Sequence, residues 1–219
     1  MQPDYERAAL RATEILIEHG IKSAPVSPLP ILKSIPNVLV MSYEDVATVA
    51  NMDRRCVMSL FGDRNQDAFT SVDEIKGVKH YLVTYNQRLP LILAQRGLAR
   101  ELGHIVLGHD DSVPEEVRNE EAKCFSHHLL CPRPLIHSLQ ATALRITTEV
   151  IGNITGCYDY CLSCMRRMPG VHIPAELNRK VRDQFVPYII NFFDFQSYAQ
   201  RKDVSTLADF GTYMDYYEE

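Results

Sequence analysis

Ala99-Arg100-Glu101-Leu102-Gly103-His104-Ile105-Val106-Leu107-Gly108-His109-Asp110 is the stretch on which the reading of this chain turns. Upstream of it Leu93, Ala94, Gly97 and Leu98, and within it Leu102, Ile105, Val106 and Leu107, recur at helical spacing. They predict a helix that starts after Pro90 and stops near Gly108, with an apolar stripe broad enough to be buried against a sheet. Its centre, Arg100-Glu101-Leu102-Gly103-His104, is one residue away from H-E-x-x-H. In that pattern two histidines one turn apart hold zinc, and the glutamate between them is the general base. Arg100 stands where the first histidine would be, and a guanidinium has no lone pair to give a metal.

The segments on either side define an α+β class. An amphipathic helix is expected over residues 4–19, with Gly20 as its stop, and a proline-broken loop over Ser23–Pro30. Short β-forming runs, Val38–Met41 and Cys56–Phe61, flank a short helix around Glu44–Asn51. Asp67–Val72 and Lys79–Tyr85 then read as a hairpin turning at Glu74–Gly77, so residues 35–86 are expected to form a small, mostly antiparallel sheet. Pro114 opens a second central helix, Glu115 to about Leu130, closed by Cys131-Pro132. Three short helices (Leu135–Ala143, Thr147–Ile154, Tyr158–Met168), a last helix from Pro174 to about Phe193 and a tyrosine- and carboxylate-rich tail complete the chain. The expected organisation is a domain over 1–134, a helix-turn-helix-like region over 135–170 packed on it, and a C-terminal helix and tail over 171–219.

The two central helices together read E-L-G-H-I-V-L-G-H and then Glu120-Glu121-Ala122-Lys123-Cys124-Phe125, ending Leu129-Leu130-Cys131-Pro132. This pair resembles the ImmA/IrrE family of metallopeptidase-like proteins, whose pattern is H-E-x-x-H followed by E-A-N-x-F-A-x-x-L-L-M-P. The likeness is specific over these helices and looser over about residues 5–170. It implies a zincin-like fold, a cytoplasmic zinc endopeptidase, and a protein substrate such as a helix-turn-helix repressor in phage or mobile-element regulation. Residue by residue it implies Glu101 as the catalytic glutamate, with His104 and Glu121 as zinc ligands. Arg100, Lys123 and Cys131 depart from the pattern, and Arg100 removes a ligand.

Two protein ligands seldom hold zinc. A relocated site could draw on Cys124 and His128, which share the face of Glu121; otherwise Cys124 is a buried small hydrophobe and His128 a surface or capping residue. His109, about 140° round the helix from His104, reads as a terminal residue answering the helix dipole. A metal-free alternative places Arg100 against Glu121 as a bidentate ion pair, keeping the fold and losing hydrolysis. The second functional class is therefore a non-catalytic regulator that binds a protein partner.

Composition narrows the field further. A net charge of −5 and a pI near 5.9 give no footprint for nucleic acid, which leaves a DNA role through residues 146–167 disfavoured. No run approaches the roughly eighteen apolar residues of a membrane span, and the first residues lack the basic and apolar regions of a signal peptide. A cytoplasmic protein with reduced thiols is expected from six cysteines in that setting. Cys157-x3-Cys161-x2-Cys164 has iron–sulfur spacing, but without a βα barrel to carry it the three read as one packed stripe of a helix.

Overall fold

In the computed structural model, which describes residues 1–60, 67–142, 148–167 and 170–202, Asp4 starts the first helix. Its carboxylate accepts the Arg7 N–H at 2.9 Å, satisfying a donor that the first helical turn leaves open. Helix α1 (Tyr5–Glu18) buries Ala8, Ala9, Ala12, Ile15 and Leu16, the three-and-four spacing of its apolar face. The expected loop over Ser23–Pro30 is shorter than predicted, because Pro28 opens helix α2 (Pro28–Ser34). A proline is preset for that first helical position, where its missing N–H costs nothing.

Strand β1 (Val38–Ser42) runs into helix α3 (Tyr43–Val49) through a capping box between Ser42 and Asp45. The next run is a correction: Arg54–Leu60 forms helix α4 rather than the expected strand. Asp53 accepts the Arg55 N–H at 2.7 Å and starts the helix, a local signal that outweighs a short apolar run. The hairpin is as expected in place but longer. Strands β2 (Ala68–Ile75) and β3 (Val78–Tyr85) pair down to Ile75 opposite Val78, leaving only Lys76 and Gly77 in the turn. Both turn residues have positive φ, 54° and 77°, the backbone that a two-residue hairpin demands.

The sheet order is β1-β3-β2, with β1 parallel and β2 antiparallel to β3. It is therefore mixed, not mostly antiparallel. Helices α3 and α4 lead from β1 to β2 at the far edge, running opposite to β1, and the hairpin then returns β3 between the two, parallel to β1.

Helices α5 (Leu91–Val106) and α6 (Glu115–Leu130) fall where the sequence places them. Helices α7 (Arg133–Thr142), α8 (Thr148–Thr155) and α9 (Tyr158–Arg167) follow, and α10 (Ala175–Lys202) continues through Pro187 beyond its expected end. Thr147, the first residue of the expected helix, and the tail Tyr213–Glu219 lie outside the described residues.

One hydrophobic core spans these elements. Leu98, Ala99 and Leu102 of α5 meet Phe125 and Leu129 of α6 and Val83 of β3, while Leu135, Leu139, Ile151, Val181 and Phe185 join the same cluster from the later helices. Cys124, Cys131, Cys157 and Cys161 are buried free thiols, with the Sγ atoms of Cys157 and Cys161 3.6 Å apart. The side chain of Cys164 lies outside the described residues. No described helix is long and apolar enough to cross a membrane.

Candidate functional site

Two glycines bring the elements of the site together. At Gly97 an added Cβ would lie 2.7 Å from Asp67 Cβ and 3.0 Å from Ala68 N, so the start of β2 rests directly on α5. At Gly103 it would lie 3.0 Å from the Phe125 ring and 3.3 Å from Ala122 Cα, so α5 and α6 approach closely. Between β2, α5 and the start of α6 lies a cavity of about 380 Å³, walled by Thr70, Arg100, Glu101, His104, His109 and Arg118 among others.

Glu101 faces this cavity from α5. Burial pushes its carboxyl up to about 7, against the opposing influence of Thr70 on β2 and of the Arg100 charge. His104, one turn on, is pushed down to about 4 by burial and by His109, Arg100 and Arg118, so its imidazole is neutral at pH 7.

His109 is where the structure departs furthest from helical-wheel reasoning. Helix α5 ends at Val106, and Gly108 has φ +67°. The His109 N–H donates to the His104 carbonyl at 3.0 Å and the Gly108 N–H to that of Ile105 at 3.1 Å. These are the two bonds of a Schellman stop, a turn that folds the second residue past the cap back onto the third from the helix end. Those two residues are His109 and His104, and their Nδ1 atoms stand 2.9 Å apart. The His109 Nε2 lies 3.0 Å from Glu121 Oε2, so His109 bridges α5 to α6 instead of answering a dipole. Glu121 can only accept in this contact, so His109 donates to it from Nε2, and the tautomer of His104 that carries its proton on Nδ1 donates to His109 Nδ1.

Glu121 is buried and both of its oxygens are engaged. Its Oε1 accepts the Asp4 backbone N–H at 2.8 Å, and its Oε2 accepts Arg7 Nη2 at 2.6 Å as well as His109. Burial pushes this carboxyl up, but the Asp4 N–H, His109 and Arg7 together outweigh it and hold it below the usual carboxylate range. The cation beside Glu121 is thus Arg7 of α1, not Arg100 as the metal-free alternative expected. Arg100 stays on the cavity wall, its Nε buried without a hydrogen-bond partner.

The relocated ligand set is not brought together. Cys124 Sγ donates to the Tyr5 carbonyl at 3.4 Å, in the contact between α6 and α1. His128 is buried rather than at the surface, its ring edge-on to His127 with centroids 4.9 Å apart. Burial, with His127 and Arg133 nearby, pushes it down to about 3.

Zinc ligands must converge on one point, with N and O atoms about 2.0–2.2 Å from it. Here His109 is engaged by His104 through Nδ1 and by Glu121 through Nε2, both oxygens of Glu121 accept from α1 or its cap, and Arg100 stands in place of the remaining ligand. Among the described residues no group of three or more His, Cys, Asp or Glu side chains is arranged to hold a metal ion. The donor set does not fit zinc as it stands. What it forms is a chain, Arg7–Glu121–His109–His104, beside Glu101, which is bonded to Thr70 of β2.

Sequence reasoning missed Arg7, the Asp4 N–H and Thr70. The Asp4 cap is legible locally, but nothing near Arg7 announces a partner 114 positions away. The His109 contact had a signal, the glycine-histidine pair at the helix stop. Comparison of the chain with known protein families, with curated proteins and with solved structures returned no match.

Proposed function

We propose that the chain is a non-catalytic relative of the ImmA/IrrE peptidases that retains the groove for a regulatory protein partner, such as a helix-turn-helix repressor, and has exchanged the metal for an internal ion pair. The observation that carries this reading is the engagement of both Glu121 oxygens by Asp4, Arg7 and His109, which takes three of the about four acceptor positions a carboxylate offers and ties it to α1 and His109. The groove offers a means of partner binding. In the order β1-β3-β2 no described strand lies along the outer edge of β2, and Thr70 of that strand is hydrogen-bonded to Glu101. An extended segment of a partner can add to such an edge through backbone hydrogen bonds.

A second reading, a retained endopeptidase, is favoured by one observation: a carboxyl held near 7 in a cavity is tuned for general-base work at neutral pH. Two measurements separate the readings. Elemental analysis of purified protein is expected to give well under one zinc per chain, and stoichiometric zinc that disappears in Glu121→Ala would overturn the proposal. Incubation with an unfolded protein such as casein is expected to give no cleavage. Cleavage abolished by Glu101→Gln would establish the endopeptidase.

A further inference from the structure

A second cavity, of about 540 Å³, lies between α7, residues 171–173 and the first turns of α10. Its wall carries Arg133, Arg179 and Arg182 with His137 and His172, and no aspartate or glutamate, in a chain whose net charge is −5. Arg133 and Arg179 form no ion pair with any described residue. Arg182 pairs with the adjacent Asp183 at 3.2 Å through two side chains more than half exposed, a contact that solvent weakens and an incoming anion can displace. The nearby Glu176 is bound to Lys180 at 2.9 Å and is not part of the wall.

The backbone adds to this charge. Helix α10 begins at Ala175, and its first N–H groups have no acceptor within the helix. Asn178 Nδ2 donates to the Ile173 carbonyl at 3.1 Å, which fixes the lead-in segment as a wall of the cavity. Val171, Ile173 and Pro134 supply an apolar side. Guanidinium groups that share a wall with no carboxylate in it repel one another across the cavity, with Asp183 and Glu176 offsetting this only from outside it, and a tetrahedral dianion between them removes that repulsion while satisfying donors in the fork geometry they present.

We infer that this cavity binds a small organic phosphate, its phosphoryl group between Arg133 and Arg179 at the start of α10 and its organic part against Val171 and Ile173. The volume is that of a small-molecule site. A nucleic-acid strand fits less well, because the acidic chain lacks the broad positive surface that phosphate backbones require.

Calorimetric titration of the full chain with phenyl phosphate, and separately with inorganic phosphate, tests this at about 50 mM salt, where surface charges remain incompletely screened. Phenyl phosphate is expected to saturate with a Kd of about 1 mM or tighter, about tenfold tighter than inorganic phosphate. Arg179→Gln and Arg133→Gln are each expected to weaken it about tenfold, the loss of one charge-assisted contact. Arg118→Gln, in the first cavity, and Lys180→Gln, outside the wall, are expected to leave binding unchanged. Arg179 is exposed, so its variant keeps the fold, as circular dichroism will verify, and it decides alone where Arg133→Gln does not fold. Absence of saturation, binding retained in Arg179→Gln, or binding lost in Arg118→Gln overturns the site. Equal affinity for the two phosphates overturns the role of the apolar wall, and tighter binding of a short oligonucleotide overturns the choice of a small ligand.

Discussion

Arg7→Ala is the perturbation that bears most directly on how the site is held. The guanidinium is 49% exposed and Glu121 5%, and they meet at 2.6 Å. An exposed ion pair is worth about 0.2–1 kcal/mol, whereas stripping the partner from a buried charge costs about 3–5 kcal/mol. Half of this pair is in solvent and Glu121 keeps the Asp4 N–H and His109, so the loss is placed between those limits, at about 1–2 kcal/mol. In a chain of this length that lowers Tm by about 2–8 °C. The pH dependence follows from Glu121, whose carboxyl is depressed in the folded protein. Its stabilisation is present above the unfolded carboxylate pKa of about 4.3 and is lost as pH falls through the lower folded value. Circular dichroism melts of both proteins at pH 7 and below pH 4 should therefore show a gap that closes on acidification. A gap under about 1 °C at pH 7, or one that persists in acid, would refute the reasoning.

Other outcomes follow from the same structure. Arg100→His, which restores H-E-x-x-H, is expected to bind well under one zinc per chain while Arg7 occupies Glu121, and Arg7→Ala/Arg100→His to bind more; elemental analysis showing a full equivalent in the single variant contradicts this. His127 is buried with neither ring nitrogen bonded, and burial together with Arg133 pushes it down to about 4. Folding disfavours its protonation, so stability is full above the unfolded pKa of about 6.5 and declines towards the folded value. His127→Leu should flatten that decline by roughly 2–3 kcal/mol between pH 7 and pH 4, measured by urea unfolding. Gly103→Ala places a methyl 3.0 Å from the Phe125 ring and should cost about 1–3 kcal/mol in the same assay.

Helices α1 and α5 were legible because each carries a long apolar stripe at one period, α6 because Pro114 opens it and Cys131-Pro132 closes it, and the hairpin because two β-forming runs flank a short segment ending in Gly77. Segment 54–60 was not, since an apolar run of that length satisfies either period and its N-cap, Asp53, decides. Misreading it also misread the sheet, for with 54–60 a helix β1 has no strand partner from that segment and lies beside the second hairpin strand, parallel to it. The site divides along similar lines. Glu101, His104 and Glu121 were readable as residues on known helix faces. Arg7 was not, since its meeting with Glu121 depends on how α1 packs across α6, a property of the assembled core with no local trace. His109 was misjudged by extending the helix past Gly108, where the backbone had already turned back.

That turn makes the relay depend on a residue count. His109 reaches Glu121 because Gly108 sits two positions after the last helical residue, Val106, and the chain reverses there. One residue inserted between Gly108 and His109 would leave both central helices and every side chain of the relay in the sequence, yet put the imidazole out of register with both of its partners. In this chain the length of the α5–α6 connection is as strict a requirement of the site as the identity of any residue in it.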